Sequence, residues 1–293
     1  RSPARAVGQG GDVSADDELP PDGREVDGWL LVTGGAVDHV RHRVLILPAN
    51  LATAEFYRPM LEGPTLAEAG VQALAATPPG FGGRPLPGRF AFSVDAYAER
   101  IDDLARREGV DVVVGHSISA QALVEVAAQG RWRGGLVLVA PTLRARDEEP
   151  ASRALATVSR VPVMRSAAWW AMMRAVGVGL RDELPPARRD VLLAEVRRNP
   201  DRAHRKWMVA GVDHVVRHGD LTPSVAAAAR GRVVAVVRGA EDRLALSDGS
   251  RAALAAAGVR VVDVPGAGHF VPTQCPEDVN AVVLDVLRRG APA

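Results

Sequence analysis

Short apolar runs that end in turn residues recur along most of this chain, and between them the apolar positions spread out to every third or fourth residue. The runs Leu45-Ile46-Leu47, Val112-Val113-Val114, Leu136-Val137-Leu138-Val139, Val233 to Val237 and Val259 to Val264 predict strands, and so do 26–33, 40–47 and 71–76. Gly34 and Gly35 separate the first two of these segments. Helices are predicted around 54–62 and over 93–108, where Val94, Tyr97, Ile101 and Leu104 form one stripe. Another follows Ser117, with Ala120, Leu123, Val124 and Ala127 at helical spacing. Near-continuous apolar strands alternating with helices predict an α/β fold, its mostly parallel central sheet covered by helices on both faces.

The alternation breaks between 143 and 222. No valine-rich run occurs there; Trp169, Trp170, Met172, Met173, Leu192, Leu193, Trp207, Met208 and Val212 sit on helical patterns punctuated by Pro185-Pro186 and Pro200. This stretch reads as a helical cap inserted over the carboxyl edge of the sheet, leaving 25–142 and 223–293 as the core. Residues 1–24, rich in glycine, proline and small or acidic residues, read as a flexible N-terminal arm.

With 36 basic and 35 acidic residues the net charge is +1, so no strong field favours nucleic acid or anionic lipid. The single Cys275 excludes an intrachain disulfide. No run has signal-peptide character or membrane-spanning length, and a cytoplasmic location is the expectation. Composition leaves the oligomeric state open.

The chemistry gathers at strand ends. Val112-Val113-Val114-Gly115-His116 runs into Ser117 and then a helix, a sharp corner that exposes the serine Oγ above the sheet and turns helix N–H groups toward it. A serine at such a junction is also a common helix N-cap. Ser119 stands where GxSxG would have its second glycine, and its small side chain should still let the elbow form. The strand 233–237 ends in Arg238-Gly239-Ala240-Glu241-Asp242-Arg243, and 259–264 ends in Pro265-Gly266-Ala267-Gly268-His269-Phe270. In an open parallel sheet such loops meet at one edge. Serine, acid and histidine then follow in the order of one triad lineage.

These residues resemble the α/β-hydrolase superfamily over about 26–289. Ser117 matches its nucleophile elbow, Asp242 the acid position in preference to Glu241, and Gly268-His269 the histidine loop. Leu47-Pro48-Ala49-Asn50 falls at its oxyanion loop, and Thr77-Pro78-Pro79-Gly80-Phe81-Gly82-Gly83 matches a D-x-x-G-x-G turn with threonine for aspartate. The resemblance implies that His269 takes the proton of Ser117 and that Asp242 holds its tautomer. The backbone N–H groups of Ile118 and Asn50 would bind the oxyanion. The Asn50 side chain has two readings, a substrate contact or a cap for the helix beginning near Thr53. His116 is expected to pack or to form hydrogen bonds.

Leu51, Phe56, Tyr57, Phe81, Trp169, Trp170, Met173, Trp207, Met208 and Phe270 are the candidate pocket residues. Their aromatic and soft apolar character favours a small hydrophobic substrate, although some would only fasten the cap. The spacing of His214 and His218 would place them on one helix face, but no carboxylate or cysteine completes an obvious site, so neither metal nor cofactor is expected. The expected activity is hydrolysis of a small to medium hydrophobic ester, lactone or related carbonyl compound through an acyl-enzyme on Ser117. Acyl transfer, lyase, cyclase or haloperoxidase-like chemistry and simple ligand binding are the alternatives.

Overall fold

The computed structural model describes residues 20–36, 38–87, 90–130, 132–145, 154, 157, 174, 180–244 and 246–290. Eight strands form one sheet: β1 (Gly23–Val26), β2 (Trp29–Gly35), β3 (His42–Leu47), β4 (Val71–Thr77), β5 (Val112–His116), β6 (Gly135–Val139), β7 (Val234–Gly239) and β8 (Arg260–Val264). Their spatial order is β1-β2-β4-β3-β5-β6-β7-β8. The pairs β1·β2 and β2·β4 are antiparallel, and every pair from β4·β3 to β7·β8 is parallel.

The segment read as one strand over 26–33 is a hairpin. Asp27 and Gly28 both have positive φ, 49° and 81°, and turn β1 back onto β2. The Asp-Gly pair is a hairpin signal that the surrounding apolar run obscures. Gly34 and Gly35 are not a linker either; they finish β2. A Cβ on Gly34 would lie 2.5 Å from that of Leu61, so the glycine lets a helix lie close against the strand.

The helices are α1 (Arg58–Glu62), α2 (Pro64–Glu68), α3 (Val94–Glu108), α4 (Ile118–Ala128), α5 (Arg189–Arg198), α6 (Asp201–His218), α7 (Thr222–Ala229), α8 (Asp248–Ala256), α9 (Val271–Gln274) and α10 (Pro276–Gly290). A 3-10 turn, Ala54–Tyr57, precedes α1. Ser93 caps α3 by accepting from Ala96 N–H at 3.1 Å, and Gly109 ends it with a left-handed φ of 60°. Because strand side chains alternate, Leu45, Leu47, Val113, Leu136, Leu138 and Val236 pack on one face with α3, α4, α7 and α8. Val44, Ile46, Val112, Val114, Val137 and Val237 pack on the other with α1, α2 and α10. Between 180 and 221 the described residues form the helices α5 and α6 and no named strand, as a helical cap insertion requires.

Candidate active site

Both faces of the sheet are covered, so exposed chemistry is left to its carboxyl edge. There Ser117 closes β5 with φ 56° and ψ −113°, a conformation that L side chains rarely adopt. The corner is held from both sides. Ser117 N–H donates to Val139 O at 2.9 Å, and Ser117 O accepts from Ala120 N–H at 2.9 Å. The serine side chain makes no capping hydrogen bond to α4, which leaves the hydroxyl free for another partner. Gly115 allows the tight return: a Cβ there would lie 2.8 Å from the Ser119 carbonyl.

Ser119 itself is fully buried. Its hydroxyl donates to Pro48 O and lies 3.2 Å from the Tyr97 hydroxyl, which ties the first turn of α4 to the loop after β3. The departure from GxSxG thus supplies a bond between two parts of the edge. Thr77 has a similar role, since its Oγ1 accepts from Ala54 N–H at 2.8 Å.

After β7 and β8 the acid and histidine loops are stitched backbone to backbone. Ala240 N–H donates to Val264 O and Glu241 N–H to Ala267 O, each at 2.9 Å. Gly239 permits this, because a Cβ would fall 2.1 Å from the carbonyl oxygens of Ala267 and Gly268. Asp242 is buried while Glu241 is exposed, and Asp242 Oδ2 lies 3.0 Å from His269 Nδ1. Asp242 Oδ1 accepts from Leu244 N–H at 3.0 Å. Burial alone would raise the Asp242 pKa. The bond from His269, the electrostatic pull of the nearby His269 and His116 imidazoles and the Leu244 N–H outweigh it and hold the carboxyl below its usual range. An ionised Asp242 fixes the proton of His269 on Nδ1 and leaves Nε2 with its lone pair.

His116, the residue before the serine, is 1% exposed and joins three loops. Its Nε2 lies 2.9 Å from His269 O, its Nδ1 lies 2.8 Å from the Tyr57 hydroxyl, and that oxygen accepts from Ala49 N–H at 2.9 Å. Burial, then the neighbouring His269, lowers the His116 pKa to about 3 against the opposing His269 carbonyl and Asp242, so the ring is neutral. Burial also raises the Tyr57 pKa, keeping its proton on. Only one arrangement satisfies the chain: Ala49 N–H to Tyr57 Oη, Tyr57 O–H to His116 Nδ1, and His116 Nε2–H to the carbonyl of His269.

The loop after β3 carries Asn50 and Leu51. Asn50 Oδ1 is buried without a partner among the described residues, and the N-cap of the following turn is Thr53, so Asn50 does not cap it. Leu51 has a left-handed φ of 76°. Side chains from α5 and its end reach this loop. Thr53 Oγ1 donates to Glu195 at 2.8 Å, and Asn199 Nδ2 donates to Leu51 O at 3.0 Å while its Oδ1 accepts from Gly82 N–H at 2.6 Å. Asn199 therefore joins the loops that carry Leu51 and Phe81, two of the candidate pocket residues. Its neighbours in sequence, Arg198 and Pro200, gave no hint of this; a polar residue 6% exposed is visible only in three dimensions. Glu183 is a second unforeseen residue. Burial raises its pKa, opposed by His269, whose charge and backbone N–H both act on the carboxylate.

The proposed pocket residues divide. Phe56 and Tyr57 are fully buried, and Trp207 is 2% exposed among Tyr97, Phe90 and Phe92, so these three belong to the packing and present almost no free surface. Phe270 and Phe81 are buried, the first against Phe56 and His269 and the second against His204. Leu51 and Met208 are half-buried, and Ile118 lies at the start of α4. Trp169, Trp170 and Met173 lie outside the described residues.

The model of the alpha/beta hydrolase family matches residues 44–282, and the chain belongs to this family. Among solved structures it is similar to a thermophilic esterase from Thermogutta terrifontis, with TM-score 0.65 and 18% identity over 89% of this chain and 93% of that one. It is also similar to a hydrolase from Pseudomonas aeruginosa PA01, with TM-score 0.63 and 20% identity over 88% and 94%. An N-acyl homoserine lactonase complexed with N-butanoyl homoserine gives TM-score 0.63 and 17% identity over 90% and 94%. At such identities the likeness is one of fold. No curated protein matches the chain. Among the described residues, no helix is long and apolar enough to cross a membrane.

Proposed function

We propose that the protein is a serine-dependent hydrolase of a small to medium hydrophobic ester, lactone or related carbonyl compound. The observation that carries this reading is the buried Asp242 paired at 3.0 Å with His269 Nδ1, at the sheet edge where the strained Ser117 ends β5. His269 Nε2 takes the Ser117 proton as Oγ attacks the carbonyl carbon, and the N–H groups of Ile118 and Asn50 hold the oxyanion. Collapse of the tetrahedral species breaks the bond to the leaving oxygen, which receives the proton from His269. Water then attacks the acyl-enzyme, with His269 as base, and releases the acid and free Ser117. Asp242 stabilises the imidazolium in both halves without accepting its proton.

The apolar character of Leu51, Phe81, Met208 and Phe270, with Trp169, Trp170 and Met173, supports a hydrophobic acyl or alkyl group. The similar esterase and lactonase folds favour the same substrate class. Labelling with a broad fluorophosphonate, located by mass spectrometry, tests the nucleophile. The adduct is expected on Ser117 and absent from Ser117→Ala; equal labelling of the two proteins refutes the mechanism. Turnover of a panel of short-chain to medium-chain aryl esters tests hydrolysis.

A further inference from the structure

Two turns along α4 from the serine, the fold completes a cluster whose parts are far apart in sequence. Gly211 of α6 lies against Ile118 and Gln121 of α4; a Cβ there would be 3.0 Å from the Ile118 side chain. The two helices stay close for two more turns, and His214 and His218 reach the level of Glu125. One ligand atom from each of Glu125, His214 and His218 lies within 4.8 Å of the others. The carboxylate that the sequence did not offer to this histidine pair comes from a different helix.

His214 supplies an independent sign of a missing ligand. It is 2% exposed, and both ring nitrogens are buried without a hydrogen-bond partner. An imidazole in that state has lost its water at both nitrogens and gained nothing in return, which native interiors rarely tolerate. Gln129 donates to Glu125 Oε1 at 3.0 Å, which orients the carboxylate and leaves its other oxygen available.

We infer that Glu125, His214 and His218 bind a first-row divalent cation of the zinc class, which staples the cap helix α6 to the helix that follows Ser117. Two imidazoles and one carboxylate suit zinc, nickel or copper better than magnesium or calcium. A tetrahedral ion with bonds of about 2.1 Å brings its ligand atoms to roughly 3.4 Å apart, so the cluster must contract by up to about 1.4 Å. The exposed His218 and the half-buried Glu125 are free to make that movement. The fourth position would hold water. The site stands apart from the Asp242–His269 pair, and its role is to fix the cap rather than to take part in ester chemistry.

The test uses the tag-free 293-residue chain, stripped with a chelator and dialysed against Zn2+ or Mg2+, with bound metal measured by elemental analysis and unfolding followed thermally. Wild type is expected to take up one Zn2+ and no Mg2+. At a free Zn2+ concentration about a hundredfold above the dissociation constant, its Tm should rise by roughly 5 °C. His218→Ala and Glu125→Gln alter exposed or half-buried side chains and should keep the metal-free Tm near that of wild type. Each should weaken Zn2+ binding at least about tenfold and, at the same free Zn2+, cut the Tm rise to about half or less. Absence of Zn2+ binding in wild type, or wild-type affinity retained in either variant, overturns the inference.

Discussion

Replacing Tyr57 by phenylalanine removes one oxygen from a fully buried side chain and keeps its ring, so the effect isolates a hydrogen-bond chain. That oxygen is the middle member between Ala49 N–H and His116 Nδ1. Without it both groups are buried and unpaired, at about 1–3 kcal/mol each, or about 3 kcal/mol after partial relaxation. For a chain of this size such a loss lowers Tm by roughly 5 °C. Function should suffer as well, because Ala49 precedes Asn50, the proposed oxyanion donor, and His116 holds the carbonyl of His269. Complete loss of one oxyanion donor costs about 3 kcal/mol in the transition state, and a loosened donor should cost about a third of that. Tyr57→Phe is therefore expected to lower kcat for an aryl ester about fivefold to tenfold with KM nearly unchanged. Urea unfolding and steady-state kinetics measure the two quantities. A variant within about 0.5 kcal/mol of wild type and within twofold in kcat would show that the chain neither stabilises nor positions.

Ser117→Gly removes the side chain from a backbone that disfavours one; the protein should become about 1 kcal/mol more stable while losing all esterase activity, and a less stable variant would contradict the strain at φ 56°. Asn199→Ala frees the loops of Leu51 and Gly82 from each other, so KM for the ester should rise several-fold with a smaller change in kcat, and no change in KM argues against a shared pocket wall. Acid stability reports on two buried histidines, His116 and His204, whose pKa values burial lowers to about 3. The unfolded chain binds protons at these positions below about pH 6.5 and the folded one does not, so their contribution is full above that pH and is lost progressively down to about pH 3. His204→Leu should flatten the acid limb by about one proton, or about 1.4 kcal/mol per pH unit, in unfolding measured from pH 6.5 downward; an unchanged slope would mean that His204 is protonated in the fold.

The parallel part of the sheet was legible because its strands are buried on both faces and read as continuous valine and leucine runs. The edge was less so. Asp27-Gly28 sits inside an apolar stretch, and Gly34-Gly35 imitate a turn while serving a helix contact with Leu61. Ser117, Asp242 and His269 could be singled out because each follows a strand in a glycine-marked loop. The residues that connect them had no such mark. Tyr57 and Trp207 appear in sequence as aromatic residues fit for a pocket, and only packing separates an aromatic wall from an aromatic strut. Asn199, Glu183 and Glu125 gain their surroundings from contacts more than 75 positions away in the chain, which no local pattern encodes.

The stitching of the loops after β7 and β8 divides mutational risk unevenly across the sheet edge. Asp242 and His269 are held to each other mainly by main-chain bonds and by a glycine without a side chain, and apart from Glu183 these depend little on cap side chains. The loop after β3 depends instead on cap side chains, through Glu195 and Asn199. Under the proposed mechanism, a lineage that reshapes the cap for a new acyl group therefore keeps its base and acid in place but must retune its oxyanion loop each time. Selectivity and the speed of carbonyl attack would evolve as linked traits, while proton transfer would be inherited almost unaltered.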